Sequence, residues 1–94
     1  MTTASIRRDG DALVFAGALT RDAVPSLWAE ASRTPAGVRR FDLAAVESVD
    51  SAGLALLAEL AERAGGIEVT GDPRGLAELR RAYRLSPSLS FAMT

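Results

Sequence analysis

The sequence predicts an α/β domain: a small mixed, mostly parallel β-sheet opened by a hairpin, with helices packed against it. Three observations carry this. A turn signal, Arg8-Asp9-Gly10-Asp11, separates two short strand-like segments near the start. An amphipathic helix in the middle of the chain lies between two short apolar strands, and strand–helix–strand with short connections is a right-handed parallel crossover. Gly65-Gly66 and Gly71-Asp72-Pro73 close segments without interrupting them. The chain has 94 residues, 48% of them hydrophobic. That is enough for one domain, residues 1–94, with one modest core.

Ser5–Arg8 reads as a first strand and Ala12–Ala16 as a second, with Gly17-Ala18-Leu19 leading out. Thr20–Arg33 reads as the first helix. Thr20 or Asp22 can cap it, and Pro25 is tolerated only near its start. Val24, Leu27 and Ala31 form its core stripe. Trp28 sits at the edge of that stripe, as a large side chain closing the core margin or as a partner contact. Thr34-Pro35-Ala36-Gly37 is a loop, and Val38–Leu43 the next strand.

A short loop then ends in Asp50-Ser51, two residue types whose side-chain oxygens accept hydrogen bonds from the free N–H groups of a first helical turn. The second helix runs from about Ala52 to Ala64 and stops at Gly65-Gly66. Leu54, Leu56, Leu57, Leu60, Ala61 and Ala64 share a broad side to be buried. The other side carries Ser51, Ala52, Ala55, Ala58, Glu59, Glu62 and Arg63. Its first two turns are small and nearly neutral, which suits either a wet face filled with the best helix former or the close approach of another backbone. Ile67–Thr70 is a strand. Arg74–Arg84 is a third helix with Leu76, Leu79 and Tyr83 inward and Arg74, Arg81 and Arg84 outward. Arg80, Arg81 and Arg84 suit the negative end of its dipole. Ser86–Thr94 either supplies a short edge strand or stays loose; Leu89 and Phe91 alternate with Ser, which favours the strand.

The absences narrow the chemistry. Eleven basic and twelve acidic residues give a formal net charge of −1, which argues against non-specific nucleic-acid binding. There is no His, Cys or Lys. Ser–His–Asp and Cys–His nucleophile systems, zinc sites built on His or Cys, and a Walker A loop are thereby excluded. No catalytic residue, metal ligand or cofactor-binding residue is expected. A helix start can bind an anion by itself, but no Gly-rich phosphate loop accompanies it. No stretch approaches the roughly 20 apolar residues that span a bilayer. The N-terminus lacks the apolar run of a secretory signal, so the cytoplasm is the expected address.

The order hairpin, helix, strand, Asp50-Ser51-Ala52-Gly53-Leu54 on a helix start, strand, helix resembles the STAS domain. Its best-known members are bacterial anti-sigma factor antagonists switched by serine phosphorylation. Their motif typically reads Asp-Ser-Ser-Gly, the second Ser taking the phosphate. Here that position is Ala52, so the resemblance implies that this switch is absent. Within the family, the chain is closer to the MlaB group, the STAS subunits of the Mla phospholipid-transport ABC transporters of Gram-negative bacteria. Phe15–Asp22, the Leu27-Trp28 pair, Val49–Leu57, and Val69-Thr70-Gly71 with Leu76, Leu79, Tyr83 and Leu85 carry that likeness. The resemblance implies a non-enzymatic accessory subunit that binds the transporter ATPase. Through it, the chain would meet the membrane permease and the periplasmic lipid-binding subunit. The expected partner-binding residues are Asp50, Ser51, Ala52, Ala55, Glu59 and Trp28. The competing reading is an anti-sigma factor antagonist or another STAS regulator; an enzyme or nucleotide binder is the third.

Overall fold

In the computed structural model, which describes residues 4–32 and 37–85, four strands lie in the spatial order β1-β2-β3-β4. β1 (Ser5–Asp9) and β2 (Ala12–Leu19) form the antiparallel hairpin, turning at Asp9-Gly10-Asp11. β3 (Arg40–Val49) lies parallel to β2, and β4 (Glu68–Thr70) parallel to β3. The helices are α1 (Val24–Ala31), α2 (Ser51–Ala64) and α3 (Leu76–Ala82). The mixed sheet and the place of each element agree with the sequence expectation.

The core follows from alternation. Leu13, Phe15 and Leu19 of β2 face the same layer as Phe41, Leu43, Val46 and Val49 of β3, all buried. The rings of Phe15 and Phe41 meet edge-to-face, with centroids 5.3 Å apart. α2 lays Leu54, Leu56, Leu57, Leu60 and Ala61 onto this layer, and α1 adds Leu27 and Ala31.

Several boundaries differ from expectation. β3 continues through Ala44–Val49, which the sequence presents as a loop. The reason is two bulges. Pairing passes from Val14↔Asp42 to Ala16↔Ala45, then from Gly17↔Val46 to Ala18↔Ser48, so β3 takes one extra residue at each step. The extra residues break the period of two yet keep Val46 and Val49 on the buried face. Asp42 Oδ1 accepts a hydrogen bond from Ala44 N–H at 3.0 Å beside the first bulge. β2 likewise runs on to Leu19.

α1 is shorter than predicted. Its N-cap is Ala23, with no side-chain cap; neither Thr20 nor Asp22 serves. Instead, the Thr20 carbonyl accepts from Ala23 N–H at 2.9 Å and Val24 N–H at 3.1 Å, so a backbone turn starts the helix. Val24 is half-buried rather than core. Ala58, expected on the wet side of α2, is 7% exposed, whereas Ala64 is only half-buried. Tyr83, expected inward, is 49% exposed. α3 ends at Ala82, so Tyr83 leaves the helical repeat, and the following turn sends Leu85 inward in its place. The loop Thr34–Ala36 and the edge strand expected in 86–94 lie outside the described residues.

Candidate functional site

The site is built where β2 and β3 end and α2 begins. Asp50 is the N-cap of α2, with extended backbone. Its Oδ1 accepts from Gly53 N–H at 2.9 Å and its Oδ2 from Arg21 N–H at 3.0 Å. Its own N–H donates to Leu19 O at 3.2 Å. One carboxylate therefore ties the exit of β2 to the first turn of α2. Partial desolvation pushes the Asp50 carboxyl up. The N–H donors of Gly53, Arg21 and Ala52 and the Arg21 charge outweigh it and hold the group below the ordinary carboxylate value.

Gly53 makes this junction tight. A Cβ there would lie 2.0 Å from Leu19 O, so only glycine lets the helix sit on the end of β2. Gly75 has a similar part on the other flank. It has φ +90, and a Cβ there would lie 2.6 Å from Val49 O. The two contacts bring α2 and α3 to the same end of the sheet, where β2 and β3 finish, alongside the bridge between Ser48 and Arg74.

Between α2 and the end of α3 runs an open groove of about 300 Å³. α2 supplies Ser51, Ala52, Leu54, Ala55 and Ala58, and the end of α3 supplies Tyr83 and Leu85. Among the described residues, no charged side chain lines it. Small residues at 52, 55 and 58 recur at i, i+3, i+6, so a partner can come close to the α2 backbone. Tyr83 offers an exposed ring edge with a polar tip, a combination enriched at protein interfaces.

The expected contact residues divide into three places. Ser51, Ala52 and Ala55 lie together in the groove. Asp50 is committed internally, with both carboxylate oxygens engaged. Glu59 and Trp28 lie further along: Glu59 is 3.7 Å from Arg63 Nε, and the Arg63 guanidinium stacks over the Trp28 ring at 4.7 Å. Trp28 and Arg63 line a separate recess of about 100 Å³ with Leu13, Phe41 and Leu60. Trp28 therefore closes the core margin beside α2, away from the groove. Sequence reading missed Ala58, Tyr83 and Leu85 as groove residues. The three-residue spacing of alanines was the available signal for Ala58. Among the described residues, no group of three or more Asp or Glu could hold a metal ion, and no helix is long and apolar enough to cross a membrane.

The family model described as "Mlab, STAS domain" matches residues 2–89. The chain belongs to the STAS domain family. Members are generally regulatory or accessory proteins that act through protein–protein contacts. Among solved structures, the unphosphorylated form of the anti-sigma factor antagonist SpoIIAA superposes with a TM-score of 0.62 at 16% identity, over 97% of this chain and 89% of that one. At that identity the likeness shows a shared STAS fold. The crystal structure of Mglu matches over 76% of this chain and 19% of that one, with a TM-score of 0.47 and 20% identity. No curated protein sequence matches the chain.

Proposed function

We propose that this STAS domain is a non-enzymatic accessory subunit that binds the ATPase of an Mla-type ABC transporter. It supports assembly and activity in phospholipid transport that maintains outer-membrane lipid asymmetry. The observation that carries this is the uncharged groove along Ser51, Ala52, Ala55 and Ala58, walled by Tyr83. It is a preformed surface that can seat an apolar partner side chain, on a rigid helix whose first turn is pinned at Asp50 and Gly53. The family description points to the same group of subunits. The domain would work in the cytoplasm, peripheral to the inner membrane through the ATPase, and reach the permease and the periplasmic lipid-binding subunit only indirectly.

The regulator reading is weighed against by Ala52, which has no hydroxyl where the phosphoswitched relatives carry one. The test is affinity purification of the tagged chain from detergent-solubilised cells of its own bacterium. An ABC ATPase arriving with a permease supports the proposal. A serine kinase of the anti-sigma type in their place would overturn it.

A further inference from the structure

The end of α3 carries an arginine in a position that favours glycine. The helix closes with Leu85 N–H donating to Arg80 O at 2.9 Å and Arg84 N–H donating to Arg81 O at 3.2 Å. This is a Schellman turn, whose pivot residue is left-handed and usually glycine. Here the pivot is Arg84, at φ +56, the one non-glycine residue with positive φ among the described residues. A left-handed residue bearing Cβ is strained; such residues persist where the surrounding structure holds them and cluster at functional surfaces.

The side chain of Arg84 is exposed, and its sequence neighbours Tyr83 and Leu85 both line the groove. Among the described residues, no carboxylate lies within ion-pair distance of Arg80, Arg81 or Arg84. The helix dipole accounts for basic residues inside the last turn. It favours Arg84 as well but does not require a basic residue at the strained pivot, where glycine relieves the backbone. Arg84 thus stands between two groove-lining residues with no carboxylate partner among the described residues, in a chain whose formal net charge is −1.

We propose that Arg84, flanked by Arg80 and Arg81, is the charged half of the docking surface. The partner is an acidic amphipathic protein segment. It places an apolar side chain in the groove and a carboxylate against the Arg84 guanidinium, whose planar fork suits a two-oxygen anion. The groove, about 300 Å³, has room for an apolar protein side chain, whereas a membrane-facing helix needs a broad apolar face. This inference rests on the groove being the site of partner docking.

The test is Arg84→Gly, measured for both stability and binding to the transporter ATPase. Relief of the pivot raises the melting temperature by roughly 3–6 °C. Loss of the guanidinium weakens ATPase binding about tenfold at low salt and flattens its salt dependence. Arg84→Asn, which also tolerates the left-handed region, weakens binding likewise. Unchanged affinity and salt dependence in both variants, with the wild type binding, would overturn the inference and leave the groove reading standing. If the wild type does not bind the ATPase, the functional reading fails. The inference is then decided by two synthetic helical peptides with the same apolar residues and either Glu or Lys on the polar face. Larger amide shifts at Ala52, Ala55 and Ala58 with the Glu peptide, reduced by Arg84→Gly, support it; equal or absent shifts overturn it. Arg84-dependent binding to phosphatidylcholine–phosphatidylglycerol vesicles would also overturn it, in favour of a lipid surface.

Discussion

Two residues at one junction hold the domain in its working shape. Gly53 stands where a Cβ would meet Leu19 O at 2.0 Å. Backbone atoms on both sides leave little room to give. Gly53→Ala is expected to cost about 3 kcal/mol, read by urea denaturation; a loss within about 0.5 kcal/mol would mean that the junction yields easily. Asp50 caps α2 and holds Arg21 N–H as well. Asp50→Ala is expected to cost about 1 kcal/mol or somewhat more, because two donors lose their acceptor. Its pH dependence has a definite sign. The folded carboxyl titrates below its unfolded value, so its contribution is complete above the unfolded pKa of about 4 and is lost as pH falls through the folded pKa. Unfolding midpoints measured down the acid limb should fall less steeply for Asp50→Asn than for the wild type. Residue type pointed to a cap at Asp50-Ser51 but did not say which of the two serves; the structure puts the cap at Asp50 and Ser51 in the first turn. The second hydrogen bond, to Arg21, was not legible: it joins residues 29 apart in sequence.

At the scale of elements, periodicity served well where it was unbroken. α2 and its left-handed Gly65 stop lie within a residue of expectation. β3 shows where periodicity fails. Its two extra residues make Ala44–Val49 look irregular, although every inward side chain stays inward. α3 shows a different limit. Tyr83 fits the helical repeat of Leu76 and Leu79, but the helix closes before it. Only the backbone turn at Arg84 decides that Leu85 is buried and Tyr83 exposed. α1 is held to α2 partly by Arg63 over Trp28. Arg63→Ala should lower stability by about 0.5–1 kcal/mol through loss of the cation–π contact, visible in thermal unfolding. The exposed Glu59 pair adds little to that figure.

Across the whole molecule, α2 has a core side, a capped N-terminus on the strand ends, and an uncharged groove shared with α3. The sequence showed the small, neutral start of α2, and this places Ser51, Ala52 and Ala55 together. It could not show the opposite wall, because Tyr83 and Leu85 reach the groove through tertiary packing. Nor could it separate Trp28 from the groove, since both lie on helices with one buried side. The central claim is that this groove is the surface on which an ABC transporter ATPase docks. The most direct measurement compares binding of that ATPase to the wild-type chain and to Ala55→Arg, with Ser51→Glu as a second variant. Position 55 is exposed, so both variants should keep the wild-type circular dichroism and melting temperature to within a few degrees. The account predicts that the wild type forms a stable complex by size-exclusion chromatography and calorimetry, and that both variants lose it by at least about a hundredfold in affinity. Wild-type affinity in both folded variants would contradict it.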